Sequence, residues 1–410
     1  VNALQWRSYF LLFCLAFVGS APAFQESNPL PTVKDPIPTI AFPDWRHVSE
    51  EDDDENVVEY SVSFPSAFRS IYPENSIVPL TVFLPAERKG PIPVVVILHY
   101  LGARDLRAER RMGKEFAQKG LGSVILTLPF HLQRTPAGHS SGELAIRPDP
   151  DHLIAMMTQS TLDVRRTVDW IFTRPEFDSN HIGITGISLG ALVASLSYAV
   201  EPRFNRAALI LGGVDLAHIL WNSSIVVSDR EKLRRLGYTE STLREKLASV
   251  EPQKLLEERK SGRAFVIGAR YDSVIPRIDV EKMIAALGTP QTLWIDTGHY
   301  GGIFVQNRVT RLVAEFFQKE FGGVEFVSPH AIYAPTIRIG AQADFEDGFE
   351  IALGLDLLRS GHRGDAFASF LVSPRTPSLF LGYHISGGLA PGIVLTTDHV
   401  TLGVYWSFVL

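Results

Sequence analysis

The chain has 410 residues, 45% hydrophobic and 20% charged, which is ample material for a buried core and suggests more than one domain. A formal charge of -6 gives no electrostatic reason to expect nucleic acid as a partner, and no P-loop or dinucleotide-type glycine pattern is present. The only cysteine, Cys14, lies in the N-terminal apolar run, so neither disulfide nor thiolate chemistry is expected of the rest.

Arg7, the apolar run 9–18 and the small residues Ala21 and Ala23 have the layout of a secretory signal over 1–23. The run is short for a membrane span. A retained anchor is the alternative. The expectation is export to a periplasmic or extracellular location, with outer-membrane association left open. Residues 24–56 are rich in proline and acid, end in the acidic run 50–55, and read as a linker.

From 57 the chain alternates. Strands are expected at 57–64 and 78–84, and the continuous apolar run 94–99 reads as a strand covered on both faces. A helix over 104–119, a strand over 123–128, a helix over 151–173 with Trp170 on its buried side and a strand over 182–185 follow. Strands at 207–211, 264–267 and 292–295 continue the series, with helices including 280–287 and 305–321. This alternation argues for an α/β fold with a mostly parallel sheet and helices on both faces. A charged, helix-prone insert at 229–260 reads either as a cap over a pocket or as solvated surface helices, and Trp221 just before it is a candidate wall for an acyl group.

In such a sheet, ligands gather at the C-terminal ends of the strands. Three polar features fall there. Gly186-Ile187-Ser188-Leu189-Gly190 has the G-x-S-x-G spacing that puts a serine on a strained strand-to-helix corner, with the Leu189 N–H aimed where a carbonyl oxygen would become an anion. Asp272 follows the strand at 264–267, and His299 follows the strand at 292–295. A serine hydroxyl needs an imidazole to take its proton, and the imidazole needs a carboxylate to fix its tautomer. Ser188, Asp272 and His299 supply all three. Asp296 and Asp215 are rival acids, but Asp296 is too close to His299 in the chain to reach round it easily.

These motifs resemble the α/β-hydrolase fold over 57–323, and within it the dienelactone-hydrolase and acetyl-esterase-like branch. The most specific stretch is G-A-R-Y-D-S-V-I-P at 268–276. The resemblance implies a second oxyanion donor from the backbone N–H of Leu101, with Tyr100 next in line; the family often has glycine where Tyr100 stands. The segment 128–142 resembles a loop that runs over the active site, which makes Tyr100, His131 and Arg134 candidate substrate-binding residues, with His139 also near the rim. The alternative for the loop residues is local hydrogen bonding at the surface.

The last part, 324–410, changes character. Ile337, Ile339, Ala341 and Ala343 alternate with polar residues or glycine, and rows at 349–357 and 400–410 repeat the pattern with Gly340, Gly354 and Gly403 on the other face. This predicts a small antiparallel β-meander domain with one strongly apolar face. Three arrangements stay open: a domain packed on the hydrolase, a half-barrel completed by another chain, or an outer-membrane-type barrel segment.

The expected activity is that of an exported serine hydrolase cleaving a small-molecule ester through an acyl-enzyme, with no cofactor and no metal. A peptidase or amidase on the same triad, and a non-catalytic binding or envelope module, are the alternatives. The expected partners are the ester and a membrane or homo-oligomer contact through the C-terminal strands.

Overall fold

A computed structural model describes residues 31–48, 56–259, 263–344, 348–360, 366–375, 377–385 and 388–409. The signal-like segment 1–23 and the acidic run 50–55 lie outside the described residues, as do residues 345–347 and 361–365. Residues 32–410 form one compact unit.

In chain order the first part comprises β1 (Arg46–Val48), β2 (Val57–Pro65), β3 (Ile77–Pro85), β4 (Ile92–Leu98), α1 (Arg107–Gln118), β5 (Gly122–Leu126), α2 (Pro150–Phe172), β6 (Phe177–Ile187), α3 (Leu189–Val200) and β7 (Phe204–Ile210). Four helices follow, α4 (Leu216–Asn222), α5 (Val227–Arg235), α6 (Glu240–Lys246) and α7 (Gln253–Arg259). Then come β8 (Ala264–Ala269), α8 (Arg277–Leu287), β9 (Gln291–Asp296), α9 (Gln306–Phe321) and β10 (Ala331–Tyr333). The sheet order is β1-β2-β3-β5-β4-β6-β7-β8-β9-β10. Strands β5 to β10 pair in parallel, while β1, β2 and β3 add antiparallel neighbours at one edge.

The centre of the sheet is apolar on both faces. Val94 to Leu98 on β4 are fully buried, and so is Trp170 on α2. One face packs against α2 and α3; the other meets α1 and α9, where Phe116, Phe316 and Phe317 are buried. This puts the C-terminal ends of β4, β6, β8 and β9 side by side at one rim.

Two departures from the sequence reading concern the ends of this body. Within the stretch expected as linker, residues 32–48 pack on it: Val33 is buried, Trp45 stacks on Tyr60, and Arg165 donates to the Val33 and Asp35 carbonyls. At the other end, β10 extends the sheet beyond 323.

The C-terminal part corrects the expected meander. β11 (Thr336–Asp344), β12 (Gly348–Ser360), β13 (Ala366–Val372), β14 (Ser378–Tyr383), β15 (Leu389–Leu395) and β16 (Val400–Val409) form a closed six-stranded antiparallel barrel, with β11 paired to both β12 and β16. Its interior is too narrow for large side chains on every inward position, so small residues allow closure. Ala352, Ala390 and Ser407 point inward, and a Cβ at Gly340 would collide with the Trp406 carbonyl. Phe367, Leu371, Phe380 and Tyr405 fill the interior beside them, while many other large apolar residues alternate to the outside: Phe349 is 69% exposed and Ile351 65%.

Closure leaves no sheet edge for another chain to complete, which removes the half-barrel arrangement. For the membrane contact expected of this chain the helices offer no route: among the described residues none is long and apolar enough to cross a membrane. The barrel packs against the body. Ser273 donates to the Val409 carbonyl at 2.9 Å, Thr297 donates to the Pro335 carbonyl at 2.7 Å, and the Arg359 guanidinium lies 3.9 Å from the Tyr271 ring centre.

Candidate active site

β6 runs into α3 with a single residue, Ser188, at the corner. Its φ of 54° and ψ of -115° lie in a region that residues with a side chain rarely adopt. The corner is possible because its flanks are glycines. A Cβ at Gly186 would collide with the Gly190 carbonyl, and one at Gly190 with the carbonyls of Leu98 and His99. The Ser188 N–H donates to the Ile210 carbonyl at 2.9 Å, which ties the corner to the neighbouring strand. Leu189 is the first residue of α3, so its N–H has no intrahelical acceptor and points out of the helix start.

His299 Nε2 lies 3.0 Å from Ser188 Oγ, and His299 Nδ1 lies 2.7 Å from Asp272 Oδ2. Asp272 is held by two backbone donors, because its Oδ1 accepts from Val274 N–H and Ile275 N–H, each at 2.8 Å. Both side chains are buried, at 8% and 1% exposure. With Asp272 ionised, Nδ1–H donates to it, and Nε2 is left to accept the serine proton. The rival acids are elsewhere engaged. Asp215 caps α4 and pairs with Arg244 and Lys282; Asp296 lies near Arg270.

The loop after β4 is pinned by two buried histidines. His99 donates from Nδ1 to the Tyr100 carbonyl and accepts from Leu128 N–H at 3.0 Å. His131 donates from Nδ1 to the Pro129 carbonyl and accepts from Gly102 N–H at 3.0 Å. Burial pushes their imidazoles down, to about 3 and about 4 respectively, so both are neutral and both keep an acceptor nitrogen. The Gly102 amide is thereby consumed, and Leu101 lies beside Ser188 on the cavity wall.

His131 therefore lies behind the site rather than in it. Arg134 does too: it is fully buried, donating to the carbonyls of Thr127 and Asn75 and pairing with Asp163 at 2.8 Å. Neither lines a cavity at Ser188, whereas Tyr100 does. His139 is at the surface with Glu143. A histidine and an arginine in a loop next to a site look alike in sequence whether they face substrate or hold the loop from behind.

Two cavities meet at Ser188. A chamber of about 460 Å³ contains Ser188, His299, Tyr300 and Met112; a second cavity of about 50 Å³ lies on the other side, between Leu189, Met157 and Leu216. Leu101, Ile225 and Val274 border both. Ile225, Val274 and Ile337 were not expected as wall residues, although Val274 lies in the motif at 268–276 and Ile337 in the alternating row of the C-terminal part. Trp221, expected there, packs under Arg234, and the neighbouring Leu220 lines the smaller cavity in its place. The insert contributes Leu233, Leu243 and Leu256 to the core, so it is more than a set of solvated helices. Among the described residues no cluster of three or more metal-ligating side chains occurs.

Sheet order, elbow and strand-end loops define an α/β-hydrolase fold. A sequence model of the family described as alpha/beta hydrolase domain containing 18 matches residues 33–212, which include Ser188 and end before Asp272 and His299. An uncharacterized protein of Mycobacterium tuberculosis, found in two strains, is 27% identical over 204 residues, 49% of this chain and 47% of its own length. The chain thus spans about half the length of the curated relatives it matches. Among solved structures, an acetyl xylan esterase from Paenibacillus sp. R4 superposes with a TM-score of 0.51 at 17% identity, covering 66% of this chain and 87% of that one. Acetyl xylan esterase 1 from Thermoanaerobacterium sp. JW/SL YS485 gives 0.49 at 14% identity, covering 67% and 89%. At these identities the likeness is one of fold.

Proposed function

We propose that the chain is an exported serine hydrolase that cleaves carboxylic esters through an acyl-enzyme. The observation that carries this is the relay from Ser188 Oγ to His299 Nε2 at 3.0 Å and from His299 Nδ1 to Asp272 at 2.7 Å. His299 takes the serine proton as Oγ bonds to the ester carbonyl carbon, and Asp272 stabilises the imidazolium that results. The carbonyl oxygen, now an anion, accepts from the N–H groups of Leu189 and Leu101. His299 then hands the proton to the departing alkoxide. A water, deprotonated by the same nitrogen, releases the acid and restores Ser188. The signal-like N-terminus supports export.

Hydrolysis of p-nitrophenyl acetate and butyrate by the wild type and by Ser188→Ala tests the reading. Turnover that disappears in the variant is expected. Absence of turnover in a folded wild type, or equal turnover in both, would overturn it.

A further inference from the structure

We infer that the preferred substrate is an ester of a short acid with a bulky, apolar alcohol. This deepens the proposed function and rests on Ser188 acting as the nucleophile. The two cavities assign the two halves of the ester by proton chemistry. The departing oxygen must come within reach of His299 Nε2, because that nitrogen supplies its proton. His299 lines the large chamber and not the small cavity, so the alcohol occupies the chamber. The acyl group then extends the other way, past Leu189 and into the cavity closed by Met157, Leu216 and Ile219.

Volume and lining set the chemistry of each half. A cavity holds a water in about 10–15 Å³ on this scale, so 50 Å³ admits only about three to five atoms of that size. That fits acetyl to butyryl and not a long chain. The chamber is roughly nine times larger, a ratio taken directly from 460 and 50 Å³. Among the described residues no aspartate, glutamate, lysine or arginine lines it; besides Ser188 and His299 its polar side chains are Tyr100, Tyr300, Gln306 and Thr310, and the remaining walls are apolar, Met112, Leu211 and Val309 among them. A polyhydroxylated alcohol would set most of its hydroxyls against apolar walls, whereas a saturated or aromatic ring system would bury apolar surface.

The barrel takes part in this selection. Ile337, at the start of β11, lines the chamber, and the same strand is anchored through Thr336 to Thr297, two residues before His299. One residue of the chamber wall, Ile337, is therefore supplied by the C-terminal barrel.

The test uses esters whose alcohols are all primary, so that leaving-group basicity stays nearly constant. Adamantylmethyl acetate, ethyl acetate and methyl 6-O-acetyl-glucoside vary the alcohol; adamantylmethyl acetate, butyrate and octanoate vary the acid. We expect kcat/KM for adamantylmethyl acetate to exceed that for the glucoside by at least about tenfold, and the octanoate to fall below the acetate by a similar factor. Ile337→Trp should lower the ratio of adamantylmethyl to ethyl acetate, and Met157→Ala should move the acyl optimum to longer chains. A preference for the glucoside, or for octanoate over acetate, overturns the inference while leaving ester hydrolysis intact. Failure on every ester overturns the hydrolase reading beneath it, and this inference with it.

Discussion

In the α/β body the large apolar side chains point inward: Phe265, Phe316 and Phe317 are buried, and the ion pair Arg134–Asp163 sits among carbonyl acceptors behind the oxyanion loop. In the barrel large apolar side chains lie on both faces, with Phe367, Phe380 and Tyr405 inside and others turned out. Phe349, Ile351 and Leu353 are exposed, while Arg338 lies inside, bonded through Nε to both oxygens of Asp356 and stacked 4.2 Å from the Phe367 ring centre. Arg359 reaches the same carboxylate at 2.7 Å. The difference shows what sets the inside of each region. A wide sheet between helices has room for large apolar side chains at most inward positions; a six-stranded barrel has room for a few, Phe367, Phe380 and Tyr405 among them, with small residues and mutually neutralised polar ones filling the rest.

The largest expected effect separates chemistry from packing altogether. Ser188→Ala should lower kcat/KM for esters by roughly 10⁴ to 10⁶ while leaving the unfolding midpoint nearly unchanged, as read by turnover and circular dichroism on the same sample. A matching loss of structure would mean that the elbow is a folding element first.

Next come the buried groups. Phe317→Ala in the body should cost about 3–5 kcal/mol in urea unfolding. Arg134→Met should cost a comparable amount, about 3–5 kcal/mol, because Asp163 is left buried with only hydroxyl and amide donors. Arg338→Met should cost less than Arg134→Met, since Arg359 remains to neutralise Asp356. Equal losses would remove the contrast between a carboxylate with one guanidinium in direct contact and a carboxylate with two.

A lone carboxyl sharpens the comparison through pH. Glu109 on α1 is fully buried, and among the described residues no other residue donates a hydrogen bond to its oxygens. Burial pushes it up to about 7. Its folded value lies above its unfolded one, so the unfolded chain releases this proton first. Stability from this group is intact below about pH 4.5 and is lost as pH rises from there to about 7. Glu109→Gln should therefore raise the stability at pH 8 by on the order of 2–3 kcal/mol, with little gain at pH 4, in denaturation series at the two values. A gain of equal size at both would show that charge is not the cause.

The smallest effect belongs to the barrel's outside. Phe349→Ser should shift stability by no more than about 0.5 kcal/mol, in contrast to Phe317→Ala. A loss of several kcal/mol would contradict the outward placement.

These contrasts also explain what the sequence could and could not convey. Ser188, Asp272 and His299 were visible because each follows the C-terminal end of a strand, and strand ends of a parallel sheet converge. The 3.0 and 2.7 Å contacts among them could not be read from spacing alone. The barrel's period of two gave two faces correctly, but periodicity does not say which face is inside, nor that β16 returns to β11. His131 and Arg134 were misplaced for a related reason: their loop passes the site, but their side chains turn back into the fold. Ile337 was invisible as a wall residue because its role depends on how the barrel docks.

The most direct test of the central claim is covalent labelling by a fluorophosphonate, with the adduct located by peptide mass mapping. The account predicts one adduct per chain, on Ser188, absent in Ser188→Ala and strongly slowed in His299→Ala. A folded protein that takes no label, or takes it at another residue, would contradict the assignment of Ser188 as the activated nucleophile.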